Sequence, residues 1–561
     1  MAADTSRSAP ERWTGPAGTR LKPASRYLMT KRGYLHPQKT YVWITLLIMG
    51  VMSLLYFVLG LSPDAQGHIP PAFDAGNPPA FGVSDLYFHS IAVGFAALGV
   101  YLVFMAFDLD KFEPPIDFPL SYRALVANII TAVGAFFYLR PVFNSYLAPL
   151  PLGLILVGMI LLADVGGALL IELYLYPGKL AGSYNPDSNM FGMIPRWSSL
   201  PSFKDFRKMD SAYWLTFVTV IGAFIAGIIG FVAFWLNYFV LDIGQSPGLA
   251  TGYINWLGGP TAVVGTTIGS HSHAIVMCLI LGVVAVTVQR FEVLRYTGWR
   301  RNVALVGVWV AITGVLALTV MFILESFTTV FPGGVPPALF ASDPGGSIQL
   351  YSYTAANGMA ADDTTMLWAA IGGMIVLVPL FFTTARGTPT WRDPVRSSVL
   401  AMWIFAFIAT PLQGFYVEFN HSGLVPNGVA GPQDLTFGAE QYFALIAITA
   451  VCMALLAVDF YVDQRGVRTP IAAFATLSVL FTTFVAYFYA FTDWQQGSWA
   501  YWLFNIGLVF MGVFILAAMV AVILGVPEKF SDGESVPPVG RNGRNGRVKP
   551  PAVRDPDRPA T

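Results

Sequence analysis

The chain has 561 residues, of which 55% are hydrophobic and 11% are charged, and its mean hydropathy is +0.60. Soluble domains contain about 25% charged residues, so this composition excludes an ordinary soluble protein. The formal net charge is zero, which gives no reason to expect a nucleic-acid partner. Apolar segments of membrane-spanning length recur from residue 41 to residue 525, which predicts that the lipid bilayer is the main partner of the chain.

The chain divides into three parts by composition. Residues 1–40 form a basic N-terminal segment that lacks the short apolar region and cleavage site of a signal peptide. Residues 41–525 form the predicted transmembrane helical domain. Residues 526–561 are polar and rich in Gly, Pro and Arg, which predicts a disordered tail. We expect both ends of the chain to be cytoplasmic.

Hydropathy predicts an all-α, polytopic membrane helix bundle of about twelve transmembrane helices. The third and fourth helices are divided only by a short stretch around residues 141–151, and losing that division would invert every later helix. The predicted segments are 41–61, 84–107, 121–141, 147–175, 212–241, 259–289, 302–331, 364–384, 396–417, 437–461, 469–491 and 498–525.

The basic residues in the connections test this arrangement. Every second connection, beginning with 62–83, contains no Lys or Arg, whereas each of the alternate connections contains at least one. Cytoplasmic connections of membrane proteins are enriched in Lys and Arg. The alternation therefore predicts twelve spans with cytoplasmic termini in a cell inner (plasma) membrane.

Five of the six histidines fall at the extracytoplasmic side of this topology. His89 opens the second span in SDLYFHSIAVGF, and His271 and His273 open the sixth in GSHSHAIVMC. Both spans are even-numbered and run in the same direction, so these three histidines are predicted to lie at similar depth. His68 and His421 lie in outward loops, where we expect solvated or capping roles.

The spacing of these residues indicates their directions. On a helix, residues two apart differ by about 200°, so His271 and His273 face different neighbours. Asp85 and His89 are four apart and share a face, so the carboxylate could orient the imidazole or join it as a ligand. Ionisable groups in spans are costly and usually functional, which favours metal or haem ligation, although such a histidine can also hydrogen-bond another helix.

Three segments resemble subunit I of the haem-copper oxidases and nitric oxide reductases: the second-span histidine, GSHSHAIVM and RRNVALVGVWVAITGVL. This resemblance implies a low-spin haem b held by His89 and His273, with His271 facing a second site. The chain differs from that family because its HxH lies on the sixth span instead of the tenth and it has no HH pair. The resemblance thus implies electron transfer without a recognisable copper site.

These observations favour a membrane-integral respiratory redox subunit that transfers electrons, linked to quinol and to other respiratory-complex subunits, with its site near the extracytoplasmic face. Whether it is itself an oxidoreductase enzyme stays open, since no soluble catalytic motif such as a Walker loop or HExxH is present.

Two alternatives remain. The first is a membrane oxidase or monooxygenase that binds copper or non-haem iron through Asp85, His89, an HxH histidine and Glu325; Asp85 and His89 resemble the Asp-x-x-x-His element of the particulate methane and ammonia monooxygenases. The second is a twelve-helix secondary transporter whose histidines gate protons. Asp164 and Glu325 are candidates for a proton path, and for Asp164 pairing across helices is the other interpretation.

Overall fold

The computed structural model describes most of the predicted helical domain. Both polar ends, residues 1–36 and 526–561, lie outside the described residues, and so do His36, His68 and His421. The described ranges are 37–60, 83–107, 109, 120–138, 149–181, 200–235, 269–295, 297–328, 361–382, 384–385, 388–389, 392–409, 432–462, 465–481 and 499–525.

The described secondary structure is helical except for a two-stranded antiparallel ribbon, in which β1 (Thr384–Ala385) pairs with β2 (Thr388–Pro389). The all-α fold class is therefore correct. The helices are α1 (Pro37–Gly60), α2 (Val83–Phe107), α3 (Leu120–Tyr138), α4 (Pro149–Ala181), α5 (Phe203–Phe206), α6 (Ser211–Trp235), α7 (Gly269–Arg290), α8 (Trp299–Thr328), α9 (Ala361–Phe381), α10 (Pro394–Ile404, continued by a π-helical turn Phe405–Ala409), α11 (Pro432–Tyr461), α12 (Arg465–Val479) and α13 (Trp499–Leu524).

Several helices have the length and composition of membrane spans. Within the described residues, four contain an apolar stretch long enough to cross a bilayer: Leu120–Phe137, Gly153–Ala181, Ser211–Phe231 and Trp299–Ile323. Seven other helices contain shorter described apolar stretches, of 10 to 17 residues. These four long apolar helices indicate a membrane protein.

The helix α8 shows how the apolar surface is distributed. It buries Val308 and Val315 completely against its neighbours, yet Val306 and Val320 are more than half exposed on its other side. Contiguous exposed apolar surface of this kind is rare on soluble monomers. A helix that is apolar on all sides can pack one side against protein and expose the other side to lipid.

Helices α3 and α4 form an antiparallel pair, which separates the two predicted segments that were hardest to divide. Gly158 packs so closely on Thr131 that an added Cβ would lie 1.9 Å from the threonine Oγ1. Further along the pair, Arg123 Nη1 donates to Asp164 Oδ2 at 2.5 Å. Since residue numbers rise on one helix as they fall on the other, the helices run in opposite directions.

Helices α8 and α9 also pack as an antiparallel pair, through small residues. A Cβ on Gly314 would lie 2.5 Å from Ala369 Cα, and a Cβ on Gly372 would lie 2.3 Å from the Ala311 nitrogen. Such distances mean that the two backbones touch. Small residues at helix interfaces allow this close approach in membranes, where apolar burial alone gives no driving force.

The first and last long helices are joined at one end. Lys39 Nζ, at the start of α1, donates to the carbonyl oxygens of Ile523 (3.0 Å) and Gly525 (2.6 Å), at the end of α13. The last carbonyls of a helix have no partner within it, so the lysine caps α13. Beside this contact, the ring of Tyr41 lies 6.0 Å from that of Tyr122, at the start of α3.

The other helices bring matching ends to this same side. Phe107, the last residue of α2, contacts the rings of Tyr176 near the end of α4 and Tyr213 at the start of α6. Trp299, the first residue of α8, contacts Phe382, directly after α9. We call this side the basal face; it holds the starts of α1, α3, α6, α8, α10 and α12 and the ends of α2, α4, α7, α9, α11 and α13. Consecutive long helices in the described residues therefore alternate in direction.

A short helix, α5, lies at the basal face between α4 and α6. The backbone nitrogen and hydroxyl of Ser202 both donate to Asp205 Oδ2, at 3.0 and 2.7 Å. These hydrogen bonds, the hydroxyl contact above all, hold the pKa of the Asp205 carboxyl below its ordinary value. The bonds fix where the chain turns into α6.

Candidate functional site

A buried group of charged residues lies at the basal face, centred on Asp459 at the end of α11. The Asp459 carboxylate accepts from Arg290 Nε at 2.9 Å, from Arg396 Nε at 3.0 Å and from Arg468 Nη2 at 2.6 Å. Asp459 is 1% exposed. We call these four residues, together with Asp393, the arginine cluster; Asp393 accepts from Arg468 at 2.7 Å.

The arginine cluster joins α7 to the three consecutive helices α10, α11 and α12. Its arginines come from the end of α7 and the starts of α10 and α12. Arg290 also lies over the ring of Phe460, at 4.4 Å, and Arg396 over that of Phe291, at 4.7 Å. Three guanidiniums around one carboxylate stay charged and leave it no proton to exchange, so the cluster holds the helices together and is unsuited to acid–base chemistry.

Sequence reasoning missed this cluster, although it contained a signal. The arginines at positions 290 and 468 were interpreted only as markers of cytoplasmic connections. Asp459, in the apolar run CMALLAVDFY, is an acid inside a predicted span. An intramembrane acid requires a partner, so it could have been paired with the basic residues at neighbouring helix ends.

The predicted histidine site lies on two helices that pack against each other. Asp85 and His89 are in the first turns of α2, and His271 and His273 are in the first turn of α7. Helices α2 and α7 are in contact, and both end at the basal face. The three histidine positions therefore lie together at the starts of two parallel helices, on the side away from the basal face. Their side chains lie outside the described residues.

The heights of these positions can be compared through contacts nearer the basal face. A Cβ on Gly99 of α2 would lie 3.5 Å from Met453 Cε of α11. Met453 is six residues before Asp459, which contacts Arg290 at the end of α7. Gly99 is therefore about 9 Å above Arg290 along the helix axes.

These levels give the heights of His89 and His273 above Arg290, and the two heights are similar. His89 is ten residues before Gly99, or about 15 Å, which places it about 24 Å above Arg290. His273 is 17 residues before Arg290, or about 26 Å. The two backbone positions thus lie within about one helix turn of each other in height.

Glu325 lies on α8, which packs against α7. A Cβ on Gly222 of α6 would lie 2.5 Å from Cys278 Sγ and 2.9 Å from Thr319 Oγ1, so Cys278 and Thr319 are at the same level. His273 is five residues before Cys278 on α7, and Glu325 is six residues after Thr319 on α8. His273 is therefore about 7.5 Å and Glu325 about 9 Å from that level, both in the direction away from the basal face. Glu325 thus lies at the depth of the histidines.

No group of three or more His, Cys, Asp or Glu side chains suited to a metal occurs among the side chains that the structure describes. The side chains of Asp85, His89, His271, His273 and Glu325 are outside that set, so their ligation stays a prediction. Both cysteines, Cys278 and Cys452, are free and buried in the bundle.

Asp164 forms an ion pair with Arg123 across the α3–α4 interface. Its side chain is 49% exposed, on the surface of the pair. This is the cross-helix pairing that the sequence offered as one interpretation, and a role in a proton path stays a prediction. Glu172, about two helix turns further on α4, pairs with Lys179 of the same helix.

The structure therefore brings together the backbones that carry Asp85, His89, His271, His273 and Glu325 at the end of the bundle opposite the arginine cluster, and places Asp164 elsewhere. Comparison of the chain with protein-family models, with curated proteins and with solved structures found no match, so the function of this site rests on the residues of the chain itself.

Proposed function

We propose that the chain is a twelve-span membrane protein whose termini and basal face are cytoplasmic. The alternating directions of the long helices support this arrangement, and so does the charge distribution. Connections at the basal face carry nearly all the Lys and Arg residues, such as Arg295 and Arg392, whereas the opposite connections carry only Arg140. The histidine positions are then extracytoplasmic.

Cysteine labelling of intact cells tests this topology. Ser62→Cys, in the first outward connection, is expected to react with a membrane-impermeant maleimide, whereas Ser531→Cys, in the C-terminal tail, is expected to react only after permeabilisation. The parent chain is the control, since Cys278 and Cys452 are buried. Equal labelling of both variants in intact cells would refute the proposed orientation.

We further propose that the protein is a respiratory redox subunit that binds a b-type haem between α2 and α7 through His89 and His273. The observation that supports this proposal is the similar height of the two backbone positions on parallel, contacting helices. Ligation of one iron by two imidazoles needs ring nitrogens about 4 Å apart across the metal, which requires matched heights on neighbouring helices. The similar backbone heights of His89 and His273 are compatible with that requirement.

The roles of the other residues follow from their positions. A haem, when bound, supplies one-electron transfer. Asp85 is one helical turn from His89, the spacing at which a carboxylate can accept the imidazole N–H and fix its tautomer. His271 is two residues before His273 on α7, a separation of about 200° around an ideal helix, so we assign it to a different partner. Quinol and other respiratory subunits are the partners that such a site would need.

A pyridine haemochrome spectrum of protein purified from a haem-sufficient host tests this function. We expect a b-type spectrum in the parent chain and its loss in His89→Ala and His273→Ala, because each change removes one axial ligand. His421→Ala, in a predicted outward loop, is the matched control and should keep the spectrum. A parent chain without haem absorbance, or unchanged spectra in both ligand variants, would end the haem proposal.

The depth of Glu325 favours a second candidate, a copper or non-haem iron site formed by Asp85, His89, an HxH histidine and Glu325. Mixed imidazole and carboxylate ligands suit these metals. Elemental analysis of the purified chain should then show about one metal ion, and Glu325→Gln should lower that content while Asp164→Asn leaves it unchanged. A chain that lacks both haem and metal would instead favour the transporter.

A further inference from the structure

A cleft of about 830 Å³ opens at the basal face, far from the histidines. It lies between α5, the start of α6, the end of α7 and the start of α8. Neither the redox site nor the arginine cluster includes its residues. The proposal below therefore goes beyond the proposed redox function and needs only that the chain lies in a membrane.

The charged residues of the cleft favour an anion. Arg207, Arg295 and Arg301 line it together with Asp210 and Glu292, which leaves one positive charge in excess. Arg295 pairs with Glu292 at 2.7 Å. The carboxylate of Asp210 accepts the backbone N–H of Tyr213 at 2.9 Å, within the first turn of α6.

Two cleft arginines remain available to a ligand. Among the described residues, Arg207 and Arg301 have no carboxylate partner; Arg207 lies over the ring of Phe203, at 5.2 Å. Ser211 also lines the cleft, is 6% exposed, and its hydroxyl has no hydrogen-bond partner in the described part of the chain. Two guanidiniums and a buried hydroxyl form a donor set suited to phosphate oxygens.

The walls of the cleft become apolar toward the middle of the bundle. Trp214 and Phe217 on α6 face Leu305 and Trp309 on α8 across it. Arg301 and Trp309 are eight residues apart on one helix, so the cleft extends about 12 Å from its charged end to its aromatic end. Trp309 is 50% exposed, which leaves the aromatic end open at the side of the bundle.

We propose that this cleft binds one anionic phospholipid of the phosphatidylglycerol type. The phosphodiester lies between Arg207 and Arg301, and an acyl chain lies along Trp309 and Phe217. A single phosphodiester charge balances the excess positive charge, whereas a zwitterionic headgroup does not. The aromatic end gives a soluble phosphate no contact, so the site favours an amphiphile.

Native mass spectrometry of the full chain in detergent tests this proposal. With equal amounts of phosphatidylglycerol and phosphatidylcholine, we expect one phosphatidylglycerol to stay bound at activation energies that remove phosphatidylcholine. Arg207→Gln with Arg301→Gln should lower its occupancy about tenfold, because two charge-assisted contacts are lost. Arg300→Gln with Arg465→Gln removes two basal-face arginines outside the cleft and should leave occupancy unchanged.

Two further measurements test whether the cleft binds only the phosphate group and whether an acyl chain lies beside Trp309. Inorganic phosphate should fail to displace the lipid; displacement would mean that the cleft is only an anion site, and the proposal would be wrong. Phosphatidylglycerol with brominated acyl chains should quench tryptophan fluorescence in the parent chain, and quenching should fall in Trp309→Phe. Equal quenching in both, or equal retention of the two lipids, overturns the proposal, and neither readout depends on haem.

Discussion

Replacement of Asp459 by asparagine is expected to lower the free energy of unfolding by about 3 to 5 kcal/mol, the cost of removing one partner from a buried ion pair. The change removes the central negative charge of the arginine cluster but keeps the size of the side chain. Arg290 and Arg396 then lose this carboxylate while their like charges stay close together, and Arg468 keeps the carboxylate of Asp393. Unfolding of the purified protein in mixed micelles measures the effect.

The matched control is Asp164→Asn, which removes the same charge from the exposed ion pair with Arg123. Arg123 is only three residues from the start of α3, so its charge can reach the headgroup region when the pair is lost, and this variant should lose less stability than Asp459→Asn. If the two asparagine variants lost the same amount of stability, the arginine cluster would not be the structural junction that we infer.

Replacement of Gly314 or Gly372 by alanine is expected to separate α8 from α9. At both positions the added Cβ would lie 2.3 to 2.5 Å from backbone atoms of the partner helix, and backbone atoms cannot turn aside as a flexible side chain can. Overpacking costs about 1 to 3 kcal/mol, and the upper end applies here because a whole helix must move. We expect a clear fall in the yield of monodisperse protein and in its thermal midpoint.

Gly227→Ala is the control for this substitution. Gly227 is also in a long apolar helix, α6, but a Cβ there would meet nothing within 4 Å. Alanine also has the higher helix propensity, so this variant should be as stable as the parent or slightly more stable. Equal behaviour of Gly314→Ala and Gly227→Ala would show that α8 and α9 can separate at little cost.

The positions of the long helices could be predicted from sequence because each one is a continuous apolar run between polar connections. The division at residues 141–151 was the weakest point, and the antiparallel contacts of Gly158 and Arg123 now show two helices there. The short helix α5 could not be foreseen. Its four residues are too few to show a helical pattern of apolar residues. The helix is held by the local hydrogen bonds of Ser202 and Asp205.

The candidate site was only partly predictable for a different reason. Counting helix directions was enough to place His89 and His273 at one end of the bundle. It could not show that α2 and α7 are neighbours, since those helices are far apart in sequence and hydropathy contains no information about pairing. The arginine cluster was missed partly for the same reason, because Asp459 meets Arg290 and Arg396 only through the fold, although Arg468 is nine residues away in sequence.

The capping of α13 by Lys39 has a consequence for the synthesis of this protein. The lysine is made among the first residues, but its two carbonyl acceptors do not exist until residues 523 and 525 have been added. Every intermediate helix must therefore be inserted before the first one finds its last neighbour. A nascent chain that stops before residue 523 lacks both acceptors, so the contact between the first and last helices forms only when synthesis is nearly finished.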